Sequence, residues 1–201
     1  MSELSPATVA RLPRYLRLLE EHSSSETVSS AVLAEAARVT AANVRRDLAS
    51  LGFQGTRGVG YSTADLAARI RRELGLEKRR RVGIIGAGNL GTALAGYTSL
   101  PKRGFDVTAL YDNDPRRIGV EVAGLTIRDM ANVPDDAADG LFDMAILAVP
   151  ASAAQTVADL LVNAGIRSML NFAPVRIEVP EGVAVRQVDL SHELQVLSYY
   201  G

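Results

Sequence analysis

The sequence contains no cysteine, and this absence removes several kinds of chemistry at once. Disulfide frameworks, thiolate metal sites, cysteine nucleophiles and thiol redox sensors are all excluded. Histidine and lysine are scarce, since the chain has only His22, His192, Lys78 and Lys102. So few of these side chains leave little basis for a metal site, a Ser/His triad or Schiff-base chemistry. The sequence therefore predicts no catalytic residues and no metal ligands.

Segments typical of secretion signals or membrane spans are also missing. Residues 1–6 have neither the basic region nor the apolar region of a secretory signal. The longest uncharged stretch, residues 82–101, is about as long as a membrane helix. Glycines interrupt this stretch, which reads instead as strand, turn and helix. We therefore expect a cytoplasmic protein that has no membrane partner.

Charged residues are unevenly distributed along the chain, although the formal net charge is only −1. Residues 1–81 hold 14 Lys and Arg against 9 Asp and Glu, whereas residues 82–201 hold 8 against 14. A basic half joined to an acidic half is typical of a protein whose first half binds a polyanion. A solvated basic linker at residues 79–81 explains the charge equally well, so charge alone does not identify nucleic acid as the partner.

Three helical patterns begin the basic half. Apolar residues at helical spacing predict a first helix ending near Glu21: Leu12, Tyr15, Leu16 and Leu19. Ser30 is expected to cap a second helix, and three of its residues are expected to face inward: Val32, Leu33 and Ala36. Thr40 is expected to cap a third helix that ends before Gly52.

The second and third helices have the layout of a helix-turn-helix motif. Residues suited to base edges and phosphates lie near the start of the third helix: Thr40, Asn43, Arg45 and Arg46. The glycine-rich segment 55–61 predicts a hairpin with Arg57 and Gly58 at its tip, typical of a wing that reaches the minor groove. A plain three-helix bundle beside a surface hairpin is the alternative. A capping box at residues 62–65 predicts a fourth helix, and we place a domain boundary after residue 78.

A dinucleotide-binding fingerprint opens the acidic half. A short strand leads into the G-x-G-x-x-G turn at residues 86–91, a helix follows, and the next strand ends at Asp112, 21 residues after Gly91. Gly86 permits the tight turn, Gly88 lets the backbone approach a pyrophosphate, and Gly91 allows close packing of helix and strand. The other loop residues expected at the phosphates are Ala87, Asn89 and Leu90.

The carboxylate of Asp112 is expected to accept hydrogen bonds from the ribose of the adenosine. Because a carboxylate repels a 2′-phosphate, NAD(H) is favoured over NADP(H), although Arg116 and Arg117 weaken this preference. A Rossmann domain that binds no nucleotide is the alternative explanation of the glycines.

Further strands and a helix complete a doubly wound parallel sheet. We predict strands at 144–149, 168–172 and 183–188, and a helix at 153–164. Ligands bind beyond the carboxyl ends of such strands, where Ala148, Val149 and Pro150 lie. Asn171 also lies there, and it is either a ligand contact or a turn residue whose hydrogen bonds are satisfied.

The chain resembles the Rex family, bacterial repressors that sense the NADH/NAD⁺ balance, over nearly its whole length. The resemblance rests on six segments: residues 11–16, 44–48, 55–61, 88–91, 170–174 and 188–195. It implies a homodimer that binds an inverted-repeat operator in double-stranded DNA when NADH is low. NADH is then the effector that releases the DNA, and NAD⁺ is a weaker competing ligand.

The resemblance also implies an α/β architecture in three parts. These are a winged-helix DNA-binding domain (residues 1–78), a Rossmann NAD(H)-binding domain (79–190) and a domain-swapped dimerisation helix (191–201). Three residues match family positions that exchange contacts between states: Arg17, Tyr97 and Asp189. The chain ends at Gly201, earlier than most members, and we expect a short swapped segment. It also carries Ala49-Ser50-Leu51-Gly52 where members commonly have an aromatic-rich stretch, which affects one phosphate contact and local packing.

Three other functions fit parts of the sequence. One of them, a purely architectural DNA-binding protein, would leave the dinucleotide fingerprint unexplained. An NAD-dependent oxidoreductase would use the same fingerprint, but residues 82–201 leave no room for a substrate domain, and Tyr97 and Lys102 do not form a Tyr-x-x-x-Lys pair. A DNA-binding regulator that senses another nucleotide, such as coenzyme A, would keep both halves. Binding data are needed to separate it from a sensor of NADH.

Overall fold

A computed structural model describes residues 4–201 and divides the chain into two compact units, one ending at Lys78 and the other beginning at Arg79. In its described part, the first unit has four helices and a two-stranded antiparallel sheet. In chain order these are α1 (Pro6–Glu21), β1 (Thr27–Val28), α2 (Ser30–Ala37), α3 (Ala41–Ser50), β2 (Tyr61–Ser62) and α4 (Thr63–Glu73).

The apolar stripe predicted for the first helix is confirmed. Its members are all buried and pack in the core of the first unit: Leu12, Tyr15, Leu16 and Leu19. The helix begins at Pro6 because the Ser5 side chain caps it, accepting a hydrogen bond from the Thr8 amide at 3.1 Å. Ser62 caps α4 in the same way, accepting from the Asp65 amide at 3.3 Å.

The predicted cap and inner face of the second helix are wrong by one residue. Ser29, not Ser30, is the cap, and its side chain accepts from the Val32 amide at 3.3 Å. The helix therefore starts one residue earlier, and its buried residues are Leu33, Ala34 and Ala37. Of the two predicted inner residues that fail, Val32 is 39% exposed and Ala36 is also exposed.

The third helix and the wing form as predicted. Thr40 caps α3 by accepting from the Asn43 amide at 3.2 Å. Beyond α3, Thr56 and Gly60 exchange two backbone hydrogen bonds, which closes a hairpin whose strand β2 pairs with β1. Gly60 has φ +107°, and a Cβ there would overlap the carbonyl oxygen of Val28, so only glycine lets the hairpin lie this close to β1. The unit is a winged helix.

A seven-stranded sheet with helices on both faces forms the second unit. Its elements are β3 (Arg80–Ile85), α5 (Asn89–Ala95), α6 (Ser99–Lys102), β4 (Phe105–Asp112), β5 (Glu121–Val122), β6 (Leu125–Asp129), a 3₁₀ turn (Met130–Asn132), α7 (Val133–Ala138), β7 (Met144–Leu147), α8 (Ala151–Asn163), β8 (Ser168–Asn171), β9 (Ala184–Gln187) and α9 (Leu190–Ser198).

The strand order is β5-β6-β4-β3-β7-β8-β9, and every pairing is parallel except that of β5 with β6. The predicted parallel Rossmann sheet is thereby confirmed. β5 and β6 were not predicted, and β7 ends at Leu147 rather than at Val149. The chain leaves the sheet there because residues 148–150 turn into α8, which begins at Ala151 rather than Ala153.

Both faces of the central strands are buried. One face packs Ile85, Tyr111 and Leu147 with residues of α8, and the other packs Ile84, Leu110 and Ile146. This alternation fixes the carboxyl ends of β3, β4 and β7 side by side. None of the helices in residues 4–201 combines the length and apolar character that a membrane-spanning helix requires.

Candidate functional site

A cavity of about 990 Å³ opens at the carboxyl edge of the sheet in the second unit. It lies where the strand order reverses, because β3 has β4 on one side and β7 on the other. The end of β4, the loops that follow these strands, the 3₁₀ turn at Met130 and helix α8 supply the residues that line it: Gly86, Gly88, Asp112, Asn113, Asp114, Arg117, Met130, Ala148, Val149, Pro150, Ser152, Ala153, Thr156, Val157 and Leu160.

The three fingerprint glycines each meet a different steric demand. Gly86 has φ +102°, and a Cβ there would lie 2.5 Å from the carbonyl oxygen of Ala148. A Cβ on Gly91 would overlap the carbonyl oxygen of Gly86, so α5 packs against the turn only with glycine at this position. A Cβ on Gly88 would meet nothing within 4 Å. The space beside Gly88 is open to a ligand, and the cradle fits a pyrophosphate.

Hydrogen bonds to the end of β4 hold the glycine-rich loop. The Gly86 amide donates to the carbonyl oxygen of Tyr111 at 2.8 Å, and the Ala87 amide donates to the Asp112 carboxylate at 2.8 Å. The other carboxylate oxygen of Asp112 accepts from the Asp114 amide, also at 2.8 Å. These contacts fix the Asp112 carboxylate at the edge of the cavity.

Most residues predicted for the nucleotide site lie at this cavity. Gly86, Gly88, Asp112, Val149 and Pro150 line it. The remaining four belong to the same loop: Ala87 and Gly91 are buried behind it, and Asn89 and Leu90 form the exposed first turn of α5.

Sequence reasoning missed several lining residues, namely Asp114, Met130, Ser152 and Thr156. Ser152 lies in the first turn of α8, before the predicted helix start at residue 153, and Thr156 lies one turn further along the helix. Asp114 follows Asp112 by two residues, and this proximity in sequence could have identified it as a lining residue.

Asn171 is a structural residue. Its side chain is fully buried and donates to the Val175 carbonyl oxygen at 2.8 Å and to the Gln187 side chain at 2.7 Å. Its amide oxygen accepts from the Ala173 backbone at 2.9 Å. Both donors and the acceptor are thus engaged within the protein, which favours the turn-residue interpretation.

Three of the six residues predicted to contact DNA line one groove of the first unit. Arg45 of α3 and residues 55–61 of the wing, including Arg57 and Gly58, line a cavity of about 620 Å³. The Arg45 guanidinium donates to the Ala41 carbonyl oxygen at 3.2 Å, whereas Arg46 and Thr40 are exposed and Asn43 is partly buried. Helix α3 and the wing thereby present two arginines to one groove.

A buried carboxylate connects α3 to α1. Asp47 of α3 accepts hydrogen bonds from the Arg11 guanidinium (2.7 Å), the Tyr15 hydroxyl (2.8 Å) and the Thr8 hydroxyl (3.0 Å). Burial alone favours the neutral acid, but these hydrogen bonds outweigh it and lower the pKa of Asp47. Burial, together with the contact to Asp47, raises the pKa of the Tyr15 hydroxyl. The network orients α3 without using any of its exposed face.

The three residues matched to family switch positions have local contacts here. Arg17 pairs with Glu21 at 2.9 Å on α1, Tyr97 is 54% exposed after α5, and Asp189 caps α9 by accepting from the Ser191 and His192 amides. Residues 4–201 contain no cluster of three or more His, Asp or Glu side chains arranged to hold a metal ion.

Two family models match parts of the chain. One, described as "CoA binding domain", matches residues 77–175, and another, described as "Putative DNA-binding protein N-terminus", matches residues 3–49. The first match covers mainly the Rossmann unit, and the second lies in the winged-helix unit.

Whole-chain relatives carry a common name. The "Redox-sensing transcriptional repressor Rex" of Streptomyces griseus is 50% identical over 196 residues, which cover 96% of this chain and 78% of that protein. The protein of the same name from Chloroflexus aurantiacus is 45% identical over 204 residues, covering 99% and 95%.

A solved structure matches the complete fold. The crystal structure of RSP in complex with beta-NAD+ and operator DNA superposes with a TM-score of 0.90 at 40% identity, covering 100% of this chain and 93% of that one. RSP in complex with beta-NADH gives a TM-score of 0.86 at 38% identity, covering 100% and 95%. With this identity extending over both units, the chain belongs to the Rex family of redox-sensing transcriptional repressors.

Proposed function

We propose that this chain is a transcriptional repressor that binds operator DNA and is released from it by NADH. The observation that carries the proposal is the intact dinucleotide cradle, with its open space beside Gly88 and its fixed Asp112 carboxylate, in a chain that also has a winged helix. An architectural DNA-binding protein has no use for such a cradle. The relatives are named repressors rather than enzymes, which supports a regulatory function without catalytic residues.

In this proposal the winged-helix unit reads the operator. Thr40, Asn43, Arg45 and Arg46 approach the major groove from the start of α3, where side chains reach base edges and phosphates. Arg57 and Gly58 at the tip of the wing reach the minor groove, because the negative potential of that groove attracts the arginine side chain. Phosphate contacts of this kind make operator binding strongly dependent on salt.

The Rossmann unit binds the effector. The loop residues Gly86, Ala87, Gly88, Asn89, Leu90 and Gly91 hold the pyrophosphate at the start of α5, where backbone amides and the helix dipole favour an anion. Asp112 binds the adenosine ribose, and Val149 and Pro150 line the cavity beside β7. NAD⁺ occupies the same site as a weaker competitor, and no metal ion takes part.

A homodimer is the second part of the proposal. Helix α9 has no buried residue, and its large apolar side chains are exposed, among them Leu190, Leu194 and Leu197 at 62–65%. A second copy of the chain would cover this surface, as in the swapped dimer that the family resemblance implies. Arg17, Tyr97 and Asp189 exchange their local contacts for others when NADH binds. The dimer acts in the cytoplasm, where operator DNA is accessible.

In this proposal, DNA is released because NADH changes the distance between the two recognition helices of the dimer. A two-fold dimer contacts two half-sites only while its recognition helices lie about one DNA turn apart, roughly 34–36 Å. NADH lowers operator affinity because it binds more tightly to a dimer with another spacing. Its effect is limited to this difference in affinity, typically about 1–3 kcal/mol.

Fluorescence anisotropy of a labelled inverted-repeat duplex tests the proposal. The duplex is first selected from a random library with this protein, and NADH, NAD⁺, NADPH and coenzyme A are then titrated at fixed salt. We expect NADH to release the duplex at far lower concentration than the other three. An Asp112→Ala variant should bind the duplex normally and respond to NADH about 10–100-fold more weakly, since it loses charge-assisted hydrogen bonds to the ribose. Release by coenzyme A alone, or binding that none of the four changes, contradicts the proposal.

A further inference from the structure

We propose that Asp114 is a second selectivity residue of the nucleotide site, because it engages the two arginines that would otherwise accept the 2′-phosphate of NADP(H). The inference rests on the proposed function and deepens it. It explains how a chain with Arg116 and Arg117 directly after the ribose-binding carboxylate keeps a preference for NAD(H). In Rossmann domains, an arginine at this end of the second strand accommodates the 2′-phosphate.

Asp114 binds Arg116 in a two-pronged contact. The Arg116 guanidinium donates to the two carboxylate oxygens of Asp114 at 3.0 and 2.8 Å, and the Arg116 backbone amide donates to the same group at 3.0 Å. Paired geometry of this kind is the strongest that a guanidinium forms with a carboxylate. These hydrogen bonds from Arg116 lower the pKa of Asp114 to about 2, so the carboxylate stays charged at any physiological pH.

Arg117 is engaged from two sides. Its Nε lies 3.8 Å from the Asp114 carboxylate, and its Nη1 donates to the carbonyl oxygen of Ala87 in the glycine-rich loop. Arg117 also lines the nucleotide cavity, whereas Arg116 does not. A phosphate at the ribose would have to compete with both of these partners for the guanidinium.

Asp114 is also connected directly to the ribose-binding carboxylate. Its backbone amide donates to Asp112 at 2.8 Å, so the turn that presents Asp112 also places Asp114 at the cavity. The charged residues lining the cavity are Asp112, Asp114 and Arg117, with a net charge of −1. A 2′-phosphate would add about two more negative charges to this cavity, and like charges at close range repel.

Removing the charge of Asp114 should therefore change selectivity rather than binding as a whole. Arg116 is 88% exposed and is free to turn once its partner is neutral. Asp114→Asn keeps the size of the side chain and the oxygen that accepts the Arg116 amide, so the turn is retained. Both arginines then become available to a phosphate beside Asp112.

The experiment measures the dissociation constants of NADH and NADPH by the fluorescence of their reduced nicotinamide ring. We expect Asp114→Asn to lower the NADPH constant roughly tenfold or more while the NADH constant changes less than about threefold. Adding Arg116→Ala and Arg117→Ala to this variant should abolish the gain.

Asp106→Asn is the matched control. Asp106 forms the same kind of two-pronged pair with Arg79 (2.6 Å) but lies at the amino end of β4, away from the cavity. It makes the same change in net charge and should leave the ratio of the two constants unchanged. Arg116→Ala in the native background provides a second measurement, and it should leave both constants within about twofold because Arg116 already binds Asp114.

The outcomes separate this inference from the proposed function. If the native protein binds NADH but Asp114→Asn does not improve NADPH binding, the selectivity assignment is wrong and the sensor remains. A gain that persists without the arginines, or a loss of NADPH affinity in Arg116→Ala alone, also overturns the assignment. A native protein that binds neither nucleotide contradicts the proposed function itself.

Discussion

Arg46 is the residue through which the DNA interface is most simply tested. It is exposed near the start of α3, whereas its neighbour Arg45 donates to the helix backbone. We expect Arg46→Ala to weaken operator binding roughly tenfold and to reduce the slope of log affinity against log salt by about one, because one phosphate or base contact is lost. NADH affinity in the absence of DNA should not change.

Arg72→Ala controls for the loss of one positive charge. Arg72 is exposed on α4 of the same unit and pairs with Glu77 at 3.3 Å, so its removal should leave the operator affinity nearly unchanged. Anisotropy titrations at several salt concentrations measure both variants. Equal operator affinities for Arg46→Ala and the native protein would mean that α3 is not the recognition helix.

At the scale of the element, substitution by alanine should affect stability at Gly91 and NADH affinity at Gly88. A Cβ on Gly91 overlaps the Gly86 carbonyl oxygen, so Gly91→Ala should push α5 from the turn and lower the thermal stability of the Rossmann unit. A Cβ on Gly88 meets no protein atom within 4 Å, so Gly88→Ala should fold normally but lose NADH affinity by about tenfold or more. Differential scanning calorimetry and NADH titration distinguish the two. Tight NADH binding by Gly88→Ala would place the pyrophosphate elsewhere.

The hydrogen bonds to Asp47 connect α1 and α3 and should make the first unit sensitive to acid. The pKa of Asp47 is lowered in the folded protein, so its stabilisation is complete above the unfolded pKa of about 3.9 and is lost as the pH falls through the lower folded value. Asp47→Asn should cost about 2–4 kcal/mol of unfolding free energy at neutral pH, because Arg11 and Tyr15 lose a charged partner.

Urea unfolding followed by circular dichroism between pH 3 and pH 7 measures this effect. The variant should show a flatter pH dependence than the native protein below about pH 4. Asp65→Asn, at the start of α4 in the same unit, is the control, and its effect should stay near 0.5 kcal/mol since it loses only an interaction with the helix dipole. If the unfolding free energy of Asp47→Asn depended on pH just as that of the native protein does, protonation of Asp47 would not be the cause of the acid sensitivity.

Element boundaries show where sequence patterns were sufficient and where they were not. Strong periodicity predicted the buried face of α1, and the spacing of glycines and Asp112 pointed to the cavity at the carboxyl edge of the sheet. The second helix was displaced by one residue because Ser29 and Ser30 are equally good caps, and only packing in the core decides between them. Strand β5 is the edge strand of the sheet and β6 lies next to it. Both are short, partly exposed segments that have no continuous apolar run.

The hydrogen-bond partners of side chains were the hardest feature to predict from the sequence. The sequence left Asn171 open between two roles, and only the approach of Gln187 from the neighbouring strand decides that it is structural. The contact of Arg117 with the Ala87 carbonyl depends on how the turn after β4 bends back over the loop. Neither contact follows from spacing along the chain, because each joins residues that folding alone brings together.

For the whole molecule, the exposed apolar face of α9 predicts that the chain does not act as a monomer. We expect Leu194→Glu, on a side chain 65% exposed in the single chain, to convert a dimer into monomers, because a charge would be buried without a partner. Light scattering after size-exclusion chromatography measures the mass. Val120→Glu, at an apolar residue 47% exposed before β5, is the control and should remain dimeric. A native protein that elutes as a monomer at micromolar concentration would remove the dimer from the mechanism.

The central claim for the whole molecule is that NADH and operator DNA oppose each other through one protein. Coupling of this kind is reciprocal, so the factor by which NADH weakens operator binding must equal the factor by which operator weakens NADH binding. Isothermal titration calorimetry of NADH into the protein, alone and saturated with operator, measures the second factor directly. We predict an NADH affinity that is roughly 5–150-fold weaker with operator bound and that matches the factor from anisotropy. Equal NADH affinities in the two titrations would contradict the account.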